Sequence, residues 1–180
     1  MSQPLTGKRV AILVTDGFEQ AELTGPREAL ENAGARADIV APKNGEVTGW
    51  NHTTPATKFH VDQTFDAIRI ADYDAVLLPG GVVNSDTIRT DATAQQLVRE
   101  AAQAGKPIAV ICHGSWLLIS AGLVKGRRMT SWPSLADDLR NAGAEWVDEP
   151  VVVDGGLISS RKPDDIPAFG SALIEALQTV

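Results

Sequence analysis

Short apolar runs alternate along this chain with longer amphipathic stretches. Val10-Ala11-Ile12-Leu13-Val14 has the length and β-branched content of a buried strand, closed by Thr15-Asp16-Gly17-Phe18. Glu19 then opens a helix to about Asn32, stopped by Ala33-Gly34, and Pro26 is expected to kink or divide it. Ala37 to Ala41 reads as a second buried strand, so the unit is strand–helix–strand and implies a parallel sheet. Glu46–Gly49 and Lys58–Asp62 read as short surface strands around a loop, and Phe65–Ile68 as a helical turn. Ala75-Val76-Leu77-Leu78-Pro79 is a further buried strand, ending at Gly80-Gly81. Asp91 caps a helix from Ala92 to Ala104 that leaves through Gly105. Ile108–Ile111 is the next strand, Ser134–Ala142 a helix ended by Gly143, Val151–Ser160 a hairpin and Asp164–Val180 a closing helix.

Strands alternating with helices over most of the chain give the α/β class, a mostly parallel sheet with helices on both faces. At 180 residues it fits one domain, residues 1–180, with no internal repeat or long linker. The apolar runs are far too short to span a membrane, and the first residues lack the apolar core of a signal peptide. One cysteine forms no internal disulfide, so the expected setting is cytoplasmic. A formal net charge of -7 argues against sequence-independent nucleic-acid binding, which needs a basic footprint.

The chemistry concentrates where the Ile108–Ile111 strand meets Cys112-His113-Gly114 and the apolar stretch Trp116–Ile119. A strand passing sharply into a helix, with glycine close behind, is the pattern of a nucleophile elbow, which projects one side chain from the carboxyl end of a sheet. Backbone N–H groups at a helix start favour a thiolate there. A lone cysteine is more often a small buried filler, but this context points to Cys112 as the working residue. Glu19 and Gly80-Gly81 end other strands on the same side of the sheet, which is where ligands of such folds gather. Glu19 would then sit beside the thiol, held protonated and donating to the sulfur, although a first-turn acid favoured by the helix dipole is the plainer alternative. The N–H groups of Gly81 and His113 would build an oxyanion hole. His52 and His60 read as solvated surface, and Trp116, Trp132 and Trp146 as core or interface rather than a cofactor box. Three scattered histidines and one cysteine give no metal-ligand spacing, and no glycine-rich nucleotide loop occurs, so neither metal nor cofactor is expected.

Six quotable stretches carry a resemblance: Asp16-Gly17-Phe18-Glu19, Leu78-Pro79-Gly80-Gly81, Ala109-Val110-Ile111-Cys112-His113-Gly114, Thr130-Ser131-Trp132-Pro133, Asn141-Ala142-Gly143-Ala144 and Val152-Val153-Asp154-Gly155, with Ser159-Ser160-Arg161 and Pro163 following. The chain resembles the ThiJ/PfpI family of the class I glutamine amidotransferase-like superfamily, and most closely its PfpI branch of intracellular peptidase-like general stress proteins. The resemblance implies a flavodoxin-like three-layer sandwich and a homodimer or higher homo-oligomer. It implies a Cys112 nucleophile with Glu19 hydrogen-bonded to its sulfur, and His113 oriented by an acid from a neighbouring subunit. Asp86 stands for that acid, displaced by one residue from the family spacing. The expected activity is a Cys112-dependent hydrolase or lyase, either a glyoxalase or deglycase on small reactive carbonyls or a cysteine peptidase. The alternatives are a non-enzymatic sensor working through oxidation of Cys112, or a chaperone.

Overall fold

The computed structural model describes residues 3–180. In chain order the first half runs β1 (Arg9–Leu13), β2 (Phe18–Glu19), α1 (Gln20–Asn32), β3 (Arg36–Ala41), β4 (Glu46–Asn51), β5 (Thr54–His60), β6 (Gln63–Thr64), β7 (Ala75–Leu78) and α2 (Val82–Ile88). The second half runs α3 (Ala92–Gln103), β8 (Ile108–Ile111), α4 (Ser115–Ser120), β9 (Arg128–Met129), α5 (Ala136–Asn141), β10 (Glu145–Trp146), β11 (Val151–Asp154), β12 (Leu157–Ser160) and α6 (Ile166–Gln178). Seven strands form the central sheet in the order β11-β12-β8-β7-β1-β3-β6. Every neighbouring pair is parallel except β11 with β12, the hairpin read from the sequence.

The inner strands are apolar throughout because both sheet faces are covered. Along β1 the side chains alternate: Ala11 and Leu13 join the core that holds Leu97, Val98, Leu117, Leu118 and Leu139, from α3, α4 and α5. Val10 and Ile12 join the opposite core, built on Leu23 and Leu30 of α1 and Phe169, Leu173 and Leu177 of α6. The result is a three-layer α/β sandwich of the flavodoxin-like kind. Helices α1 and α6 cross closely at Gly25, where an added Cβ would lie 2.7 Å from Ile166 Cγ2. Among the described residues, no helix is long and apolar enough to cross a membrane.

Several sequence expectations shift. Pro26 leaves α1 continuous, since burial of Leu23, Pro26 and Leu30 on one face outweighs the backbone bond a proline removes. The segment after Gly81 folds as α2 although Asn84, Ser85 and Thr87 are poor helix formers. Tertiary bonds of Asn84 explain it: its Oδ1 accepts from the Thr15 N–H at 2.7 Å, and its Nδ2 donates to the Gly80 carbonyl at 2.9 Å. This buried amide ties the carboxyl end of β1 to that of β7. Phe65–Ala67 forms a single hydrogen-bonded turn, with the Ala67 N–H donating to the Thr64 carbonyl at 3.0 Å, and a 3-10 turn follows at Ile70–Asp72. The Ser134–Ala142 helix is a 3-10 turn at Pro133–Leu135 followed by the shorter α5, and the closing helix likewise begins after a turn at Pro163–Asp165. The surface strands β4 and β5 are longer than expected and form a hairpin, with β2 pairing parallel to β4. That pairing lays the hairpin tip beside the strand ends.

Candidate active site

Cys112 occupies the turn between β8 and α4 with φ +61°, a left-handed backbone conformation that costs a non-glycine residue roughly 1–2 kcal/mol. Neighbouring glycines make the turn possible. A Cβ at Gly114 would lie 2.8 Å from the Leu78 carbonyl oxygen, and one at Gly80 2.8 Å from Cys112 Cβ. The elbow is therefore packed against the end of β7 with no room for side chains between them. The N–H groups of His113 and Gly81 lie close enough to the Cys112 sulfur to pull its pKa down, and His113 Nδ1 lies 3.2 Å from it. The two N–H groups expected to hold an oxyanion are thus both beside the sulfur.

The acid beside the sulfur is Glu22, not Glu19. Glu19 turns to the β4–β5 tip, where its Oε2 accepts from the His52 N–H at 3.0 Å and its Oε1 lies 3.8 Å from His52 Nδ1. Glu22, one helical turn on, is fully buried. Its Oε1 accepts from the Gly80 N–H at 3.0 Å, while Oε2 has no nitrogen or oxygen partner among the described residues. The carboxyl lies near enough to the Cys112 thiol for each to shift the other's titration. Burial pushes the Glu22 pKa up to about 8; the Gly80 N–H opposes this, and the negative charge of Glu19 adds to it. Burial also pushes the Cys112 thiol up, as does a charge on Glu22, while the His113 and Gly81 N–H groups pull it down. Two buried acids this close resist being ionised together. A sulfur anion formed while Glu22 keeps its proton avoids that repulsion and is favoured by the neighbouring His113 and Gly81 N–H groups.

Burial lowers the pKa of His113, so the imidazole is neutral at pH 7. Its ring stacks on Trp132 at 5.9 Å and meets the edge of Trp116 at 5.3 Å. Trp132 is drawn to the site by its backbone N–H, which donates to the Cys112 carbonyl at 3.2 Å. Asp86 lies on the exposed side of α2 and makes no hydrogen bond or ion pair among the described residues, so a single chain does not bring it to His113.

Above the sulfur opens a cavity of about 300 Å³. Glu19, Glu22, Gly81, Cys112 and His113 line it, together with His52 and Thr53 from the hairpin tip, Trp132, Val82 and Pro163. His52, expected to be plain solvated surface, is 83% exposed yet shares this wall. Its φ of +56° marks a tight tip that no sequence spacing announced. Glu22 did leave a signal: it is an acid on the apolar face of α1, in line with Leu23, Pro26 and Leu30.

The family model described as DJ-1/PfpI matches residues 8–176. The chain is 39% identical to a deglycase of Thermococcus kodakarensis over 170 residues, covering 94% of this chain and 99% of that protein. It is 38% identical to general stress protein 18 of Bacillus subtilis over 174 residues, covering 96% and 99% respectively. A crystal structure of a two-domain protein from Anabaena variabilis, with DJ-1/ThiJ/PfpI-like and ferritin-like domains, superposes with a TM-score of 0.90 and 33% identity. That match covers 94% of this chain and 48% of the Anabaena protein, so this chain spans about half its length.

Proposed function

The chain belongs to the DJ-1/PfpI family, and from that premise we propose that it is a cysteine-dependent enzyme acting on reactive carbonyls, removing small dicarbonyls such as methylglyoxal and their adducts on amines. The observation that carries the reading is the buried Glu22 carboxyl beside the Cys112 sulfur, with the Gly81 and His113 N–H groups close to the same atom. The deglycase and stress-protein names of its relatives support it.

The steps follow from that geometry. The Cys112 thiolate attacks the aldehyde carbon, and the carbonyl π pair moves to oxygen, held by the Gly81 and His113 N–H groups. Glu22 gives its proton to that oxygen, leaving a hemithioacetal. From an amine adduct the same species arises when sulfur displaces the amine, which leaves with a proton. The Glu22 carboxylate then takes the proton on the former aldehyde carbon, forming an enediolate, and returns it to the adjacent carbon while the hydroxyl proton passes from the first oxygen to the second. The product is a lactoyl thioester, an isomer of the hemithioacetal. Water hydrolyses it to lactate and free Cys112. One carbon is oxidised as its neighbour is reduced, so the redox change is internal to the substrate. A group with a pKa near neutrality suits both directions of transfer.

The test is methylglyoxal consumption with lactate formation by reduced protein. Cys112→Ser is expected to abolish turnover, at least 10³-fold in kcat. Equal turnover by the two proteins overturns the reading. We further propose that the protein works as a homo-oligomer, supported by Val82 and Val83 of α2, exposed beside the cavity at 54% and 44%.

A further inference from the structure

The cavity is asymmetric in charge. Two of its walls carry the carboxyls Glu19 and Glu22, and no lysine or arginine lines it. Arg161 is two residues from the lining Pro163, but its Nε and Nη1 are taken by Asp165 at 2.9 Å and Asp148 at 2.8 Å. His113 is held neutral by burial. Glu22 is fully buried at the cavity floor, where burial favours its neutral form, which leaves Glu19 as the acid of the upper wall. Glu19 is fixed there by the His52 N–H, with its side chain only 12% exposed, so its field acts partly through protein rather than through water.

Resting on the reading above, we propose that Glu19 is a specificity-determining residue that selects electrophiles whose remote part carries a positive charge and rejects those carrying a carboxylate or phosphate. A carbonyl attached to a protonated amine or a guanidinium is the chemical class favoured. Trp132, 38% exposed and walling the same cavity, adds an aromatic surface on which such cations are stabilised. An anionic electrophile meets like charge with no lysine or arginine of the cavity wall to offset it. The same arrangement aids release of a carboxylate product, because lactate forms facing the acid that its precursor did not repel.

Thiol modification tests this without requiring turnover, since Cys112 is the one cysteine. Cationic trimethylammonium-ethyl and anionic sulfonatoethyl methanethiosulfonates are compared at one pH. In each, the thiolate attacks the sulfenyl sulfur, a mixed disulfide forms and methanesulfinate leaves. Correction by the rates on a free small thiol isolates the contribution of the cavity. The cationic reagent is expected to react at least tenfold faster than the anionic one, and Glu19→Gln, which keeps an acceptor for His52, is expected to cut that ratio several-fold. Thr53→Lys, placing a cation on the exposed hairpin tip, is expected to cut it independently. A corrected ratio near one in the unmodified protein, or a ratio that neither substitution changes, overturns the proposal. Loss of the dicarbonyl reading would show instead as absent lactate formation with the modification ratio intact.

Discussion

Burial of the Glu22 carboxyl makes the stability of the protein depend on pH. A carboxyl whose folded pKa is raised from 4.5 to about 8 favours the folded state fully below about pH 4.5. That contribution is lost as pH rises through about 8, because the unfolded chain gives up the proton first. Glu22→Gln removes the dependence, since an amide fills the same space without titrating. It is therefore expected to unfold at higher denaturant than the unmodified protein at pH 8, by a few kcal/mol in order of magnitude, with the gap closing toward pH 5. Urea titrations at the two pH values check this, and a gap that does not narrow at the lower pH would contradict the assignment. Activity moves the other way: without a proton to transfer, the Gln variant is expected to lose 10²-fold or more in kcat. Cys112 was legible from sequence because strand, nucleophile and glycine are contiguous. Choosing between Glu19 and Glu22 needed the direction in which α1 meets the sheet, and only the burial stripe of the helix encodes that. Asp86 reaching His113 depends on a second chain, which no single-chain geometry supplies.

At the scale of elements, the α1–α6 crossing is the tightest test of packing near the site, since Glu22 is carried on α1. Gly25→Ala would ordinarily favour a helix, but here its methyl would press on Ile166 Cγ2 at 2.7 Å. The overpacking is expected to destabilise the fold by about 1–3 kcal/mol, with Ile166→Ala in the same chain recovering part of the loss. Thermal unfolding of the two single variants and the double variant gives the coupling, and strictly additive effects would refute the close contact. The elements that the sequence showed are those whose apolar period matches one environment: β1, β3, β7, β8 and the amphipathic α3. It missed α2, where the amide of Asn84 reaches strand ends sixty-nine residues back in sequence. It also missed the reach of the β4–β5 hairpin, whose strands are polar on most positions and owe their length to pairing with each other and β2. Local propensity carries no record of such distant partners.

For the whole molecule, the net charge of -7 and the acid-walled cavity have the same sign, so cationic substrates are drawn in at long range as well as at contact. The long-range part is expected to fade in high salt, while the part due to Glu19 persists. Val82, one of the two exposed valines of α2, lines that cavity. Light scattering is expected to give a multiple of the single-chain mass, and Val82→Asp to shift it toward one chain. A monomeric unmodified protein would remove the oligomer proposal. The resting location of one hydrogen also has an isotopic signature. Sulfur holds hydrogen in a looser bond than oxygen does, so a thiol that must shed its proton reacts faster in heavy water. In the proposed reacting state the sulfur is ionised and the hydrogen rests on the Glu22 oxygen, in a bond about as stiff as those of the solvent. Alkylation of Cys112 is therefore expected to show no acceleration in D₂O, whereas Glu22→Gln, which leaves the sulfur to carry its own proton, should reveal one.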